Sequence, residues 1–109
     1  MKLKKVYISG PISGHDIEER RAEFKKVQVA LANDGYDTFN PMENGLPQTA
    51  TTNEHMRADI KALVDCDVIY LMKKWNHSAG CWTEFCVATS CGLEVMFEER
   101  PNIKPILFQ

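Results

Sequence analysis

The stretch that most constrains the fold is Cys66-Asp-Val-Ile-Tyr-Leu-Met72, a nearly unbroken apolar run. A strand apolar on both faces must be covered on both faces, which is the situation of a central strand in a parallel sheet flanked by helices. Its neighbours fit that frame. Lys4-Lys-Val-Tyr-Ile-Ser9 is a short apolar-aromatic run stopped by Gly10-Pro11 and reads as the first strand. A helix is expected from Asp16, with Glu18 and Glu19 in its first turn and Phe24, Val27, Ala30 and Leu31 on its apolar face, ending at Asn33-Asp-Gly35. Tyr36–Asn40 is a weak second strand closed by Pro41, and residues 41–53 form a long, aperiodic loop. Asn53 is placed to cap a helix from Glu54, with Met56, Ile60, Leu63 and Val64 on its buried side. After the apolar strand come a loop over 73–80, a helix ended by Gly92, a fourth strand at Leu93–Phe97, and a fifth at Ile103–Phe108, where Pro105 suits an edge.

This order predicts an α/β fold: one small Rossmann-like or flavodoxin-like three-layer domain over residues 1–109, with a mainly parallel sheet of about five strands. The length suits one core. A net charge of -2 and a pI near 5.9 give no electrostatic footprint for a nucleic-acid polymer. No apolar run approaches the roughly 20 residues that span a bilayer, and Val6-Tyr-Ile8 runs at once into a Gly-Pro turn, unlike a signal peptide. A cytoplasmic protein without membrane contact is expected. Cys66, Cys81, Cys86 and Cys91 lack a metal spacing and read as buried free thiols; no metal or cofactor is expected.

In such folds ligands bind beyond the carboxyl ends of the strands. That rule selects Ser9–Gly14, the segment after Asn40, and Lys73–Gly80. It also draws attention to Glu84, the one acidic or basic residue between Asn76 and Leu93 besides the imidazole of His77. Cys81, Phe85 and Ala88, with Val87 and Cys91, recur at helical spacing, so most of this charge-poor helix should be covered. A carboxylate there is costly to ionise unless something pairs with it. Gly10-Pro-Ile-Ser-Gly14 and Ser78-Ala-Gly80 are turns opening onto helix N-termini, where backbone N–H groups suit an anion; neither is a Walker loop or a dinucleotide fingerprint. Asp59, beside Arg57, Lys61 and Asp65, has the surroundings of a solvated helix residue, yet its spacing from Met56 and Leu63 puts it at the border of the buried face. Tyr7 is either plain core or a hydroxyl that reaches a carboxylate. His15, His55 and His77 form no ligand set by spacing and read as surface, with His77 nearest the site; Trp75 and Trp82 are placed either to stack on a base or sugar or to pack against the long loop. Carboxylates, a tyrosine and anion-binding turns around one crevice suit attack at an acetal-like carbon.

Three motifs in order resemble the nucleoside 2-deoxyribosyltransferase-like superfamily, which includes the 2′-deoxynucleoside 5′-monophosphate N-glycosidases. They are Tyr7-Ile-Ser-Gly-Pro-Ile-Ser-Gly14, Asp59-Ile-Lys-Ala-Leu-Val-Asp-Cys-Asp67-Val-Ile, and Ser78-Ala-Gly80-Cys-Trp-Thr-Glu84. A small domain of unknown function in this group, common in bacteria and phages, is most similar. The resemblance implies that Glu84 is the nucleophile at C1′ and that Asp59 positions the sugar or assists the departing base. It implies that Tyr7 orients Glu84, while Ser9, Gly10, Pro11, Ile12, Ser13, Gly14, Ser78 and Gly80 bind the substrate's 5′ end. Transferases of free nucleosides tend to carry an acid where Ser78 stands, so a serine there favours a 5′-monophosphate. The first loop departs from some nucleotide glycosidases, having Ser13 where they have arginine. A deoxynucleotide or nucleoside ligand and a homodimer or larger homo-oligomer are further implications. A nucleotide-binding module without turnover, or a partner-binding domain, are the alternatives.

Overall fold

The computed structural model describes residues 2–99. Four parallel strands, β1 (Lys5–Ser9), β2 (Asp37–Phe39), β3 (Val68–Leu71) and β4 (Glu94–Phe97), form one sheet in the order β2-β1-β3-β4. Three helices connect them: α1 (Ile17–Asn33), α2 (Thr52–Val64) and α3 (Ala79–Ser90). Four strands replace the expected five among the described residues, because the segment 103–108 lies outside them.

Alternation along the strands sorts the two faces. Val6, Ile8 and Val68 pack with Phe24, Val27 and Leu31 of α1. Tyr7, Ile69 and Leu71 face the other way, against Leu63 of α2 and Ala88 of α3. Both central strands are therefore apolar on each side, as the continuous run in β3 requires. The chain steps from β1 outward to β2, then returns past β1 to β3. The strand order thus reverses between β1 and β3, and the crevice beyond their carboxyl ends is the ligand position of doubly wound sheets.

Local chemistry sets the boundaries. Asp16 caps α1 by accepting from the Glu18 N–H at 3.0 Å, and Gly35, at φ +95°, makes the left-handed turn after Asp34. α2 starts earlier than Asn53 suggests. Thr51 and Glu54 form a reciprocal capping box, so Thr51 is the cap and Thr52 the first helical residue. Ahead of β3, Cys66 is still bonded to the end of α2, its N–H donating to the Leu63 carbonyl, so the strand begins only at Val68 and has four residues. Val64 is 45% exposed rather than buried, and Ala30 also faces solvent.

α3 is less covered than its composition implies. Cys81, Glu84 and Ala88 face inward, while Trp82, Thr83, Cys86, Thr89 and Ser90 face solvent. The thiols divide accordingly: Cys66 and Cys81 are buried, Cys86 and Cys91 exposed, and all four are free. No helix among the described residues is long and apolar enough to cross a membrane.

Candidate active site

Tyr7 and Ser9 lie two residues apart in β1 and so point to the same face of the sheet. α3 lays Glu84 over that face. The Tyr7 hydroxyl donates to Glu84 Oε2 at 2.5 Å, and the Ser9 hydroxyl donates to Oε1 at 2.7 Å. Both carboxylate oxygens are held, and the group is only 8% exposed. Burial pushes the Glu84 carboxyl up from its ordinary 4.5 to about 7; the Tyr7 and Ser9 hydrogen bonds pull it down, and the charge of Asp59 pushes it up. Burial and the adjoining Glu84 carboxylate hold the Tyr7 phenol well above its ordinary range, so it remains a hydrogen-bond donor.

In front of Glu84 is a cavity of about 630 Å³, within the size range of small-molecule sites. Gly10, Pro11, Ile12 and Ser13 line one side, and Ser78, Ala79, Gly80 and Cys81 another. Thr52, His55, Met56 and Asp59 close it from α2. Those four positions follow an i, i+3, i+4, i+7 stripe, while Arg57, Lys61 and Asp65 lie on the exposed side. The border position of Asp59 thus resolves inward: it is buried, 9% exposed. Its carboxyl is raised, chiefly by burial, with the Asn44 hydrogen bond and His55 acting in the opposite sense.

Tyr7 and Ser9 stand behind the cavity wall and act on it through Glu84. Gly14 is not among the cavity-lining residues; its φ of +82° turns the chain toward α1. Asp67 of the second motif lies at the opposite end of the sheet, where its side chain accepts the Lys5 N–H at 2.8 Å. The two anion-suited turns are unequal. At α1 the Asp16 carboxylate already occupies an N–H, and Glu18 and Glu19 follow. At α3 the cap is the neutral Ser78, accepting from the Cys81 N–H, with no acid in the first turn. The α3 end is therefore the more hospitable to an anion.

All three histidines line the cavity, including His15 and His55, which by sequence read as surface. The tryptophans do not line it. Trp75 packs on Trp82, Phe85 and Phe97, with ring centroids 4.7, 5.2 and 6.0 Å away, so packing accounts for both indoles. Sequence reasoning also missed Asn44, whose side chain bonds to Asp59 and His55; an asparagine in an aperiodic loop carries no signal of its own. The His55/Asp59 spacing of four on one helix was the signal available for His55. Among the described residues, no three His, Cys, Asp or Glu side chains are grouped so as to hold a metal ion.

The model of the family described as a domain of unknown function, DUF4406, matches residues 4–97. The chain belongs to that family. No curated protein matches it. Among solved structures, the 2-desoxiribosyltransferase from Leishmania mexicana is similar with a TM-score of 0.68 and 18% identity, over 86% of this chain and 63% of that one. The Clostridium botulinum CMP N-glycosidase BcmB has a TM-score of 0.62 and 16% identity, over 95% of this chain and 78% of that one. A conserved protein from Enterococcus faecalis V583 reaches 0.66 and 21%, over 88% and 63%. This DUF4406 chain therefore has the deoxyribosyltransferase fold, and it spans less than two thirds of the length of the Leishmania and Enterococcus proteins.

Proposed function

We propose that this DUF4406 protein cleaves or transfers the N-glycosidic bond of a 2′-deoxynucleoside 5′-monophosphate or a derivative, through a glycosyl ester on Glu84. The observation that carries this reading is one buried carboxylate, gripped on both oxygens by Tyr7 and Ser9 at the wall of a cavity that Asp59 also lines. The fold shared with a deoxyribosyltransferase and an N-glycosidase supports it.

In the first step a lone pair of a Glu84 oxygen bonds to C1′ while the C1′–N bond breaks and its electron pair leaves with the base. The departing nitrogen takes a proton, which Asp59 is suited to supply because burial favours its protonated form. In the second step water attacks C1′, loses a proton and frees Glu84; a second base in place of water gives transfer. The donors on Glu84 fix its position for attack. They also keep part of the population ionised near neutrality, against the desolvation that favours the acid. The neutral Ser78 cap at α3 supports a phosphate at the 5′ end.

Base release from a panel of deoxynucleoside monophosphates and the matching nucleosides, followed by chromatography, tests this. Release from monophosphates, reduced at least about a thousandfold in Glu84→Gln, is expected for a nucleophile. Release only when a second base is present assigns a transferase. No release from any substrate, with ligand affinity unchanged in Glu84→Gln, replaces the enzyme with a binding module.

A further inference from the structure

We propose that Asn44 is a positioning residue that selects, for the neutral His55 ring, the tautomer protonated on Nε2. α2 then presents a ligand with a donor from His55 one helical turn from the free carboxyl oxygen of Asp59.

The orientation of the Asn44 amide is set by the backbone. Its Oδ1 accepts from the Leu46 N–H at 3.1 Å, which turns the NH2 group toward α2. There Nδ2 lies 3.0 Å from Asp59 Oδ1 and 3.0 Å from His55 Nδ1. An amide NH2 has two protons to give and accepts nothing, so both contacts are donations. A ring nitrogen that accepts carries no proton, which places the proton of the neutral imidazole on Nε2. An imidazolium would set N–H against N–H and lose the contact. His55 lines the cavity, and its Nε2 has no protein partner among the described residues, leaving that N–H for a ligand acceptor. The same amide occupies one oxygen of Asp59 and leaves Oδ2 for proton exchange.

A donor and a proton-carrying carboxyl side by side suit a leaving group that gains electron density on a heteroatom. A nucleobase with a carbonyl or unprotonated ring nitrogen near its glycosidic nitrogen has that character. This leaving-group role rests on the glycosyl chemistry proposed above; the tautomer lock does not.

The test is imidazole nitrogen NMR on the full chain, uniformly 15N-labelled, at about pH 8.5, where ordinary histidines are neutral. His55 is assigned with His55→Gln. The expected wild-type spectrum shows His55 with a bare Nδ1 and a protonated Nε2. In Asn44→Asp, whose carboxylate only accepts, the proton moves to Nδ1; in Asn44→Ala the two tautomers mix. A protonated Nδ1 in the wild type overturns the proposal, whether or not either variant folds. So does a His55 spectrum unchanged in folded Asn44→Asp and Asn44→Ala. Where base release is measurable, Asn44→Ala should lower kcat on the order of a hundredfold with a smaller effect on KM. The expected spectrum without base release from any nucleotide sinks the glycosyl reading and leaves the lock standing.

Discussion

At the scale of single residues, Glu84 couples stability to pH. Its carboxyl binds a proton more tightly in the fold than in the unfolded chain, ordinary 4.5 against about 7. The stabilisation is therefore complete below the ordinary carboxylate range and is lost as pH rises through about 7. Each tenfold in proton affinity is about 1.4 kcal/mol, so the whole effect is on the order of 3 kcal/mol. Glu84→Gln keeps the volume and removes the charge. Its stability relative to wild type should rise between about pH 5 and about pH 8.5, read by denaturant unfolding at both. A difference that stays flat would mean that Glu84 is not held protonated by burial. Tyr7→Phe works in the other direction on the same group. The Tyr7 hydrogen bond lowers the Glu84 carboxyl, so its loss should move the Glu84 titration, followed by carboxyl NMR, to higher pH. An unmoved titration would show that Tyr7 is core and not a partner.

At the scale of elements, two glycines at the cavity rim make opposite demands. A Cβ at Gly10 would meet Met72 Sδ at 2.5 Å and Phe24 Cζ at 3.1 Å. The turn after β1 is thus pressed onto the core beneath α1, and Gly10→Ala should cost about 1–3 kcal/mol through overpacking. At Gly80 the same Cβ would meet Met56 Cε at 3.5 Å and Ser78 Oγ at 3.8 Å, ordinary contacts. Inside α3, alanine also has the better helix propensity, by about 1 kcal/mol. Thermal unfolding of the pair should show a lower Tm for Gly10→Ala and an equal or higher one for Gly80→Ala. The reverse order would contradict the packing described for the rim. The elements themselves were largely legible: among the described residues, each strand and helix falls within a few residues of its sequence signal, because periodicity and caps act locally. The start of α2 was misplaced because Thr51 and Asn53 are both able caps, and only the reciprocal bond with Glu54 chooses between them.

At the scale of the molecule, the α2–α3 layer covers one face of the sheet and leaves Val64 and Trp82 each 45% exposed. A homo-oligomer is the expectation that the sequence resemblance carries. Sedimentation velocity at micromolar concentration should give a dimer or larger, and Trp82→Glu should weaken it if that layer is the interface. A monomer at every concentration would overturn that expectation. The cavity opens at the carboxyl end of β1 and β3, where the strand order reverses, so the fold alone places three separate segments around one crevice.

The sequence by itself determined the layer order, the direction of the strands and the end of the sheet that carries the cavity. A two-residue or four-residue period is written along the chain and needs no distant partner to be read. It also marked Glu84 as unusual, since one carboxylate in a charge-poor helix must find donors. Only the tertiary structure decided which donors. Tyr7 and Ser9 share a strand face, but that Glu84 lies over it depends on how α3 packs against β1 from another part of the chain. The same holds for Asp59, hydrogen-bonded by a loop residue fifteen positions earlier, and for the tryptophans, which pack on one another. Burial and pairing between distant segments are properties of the assembled layers, and they set which carboxyls hold a proton.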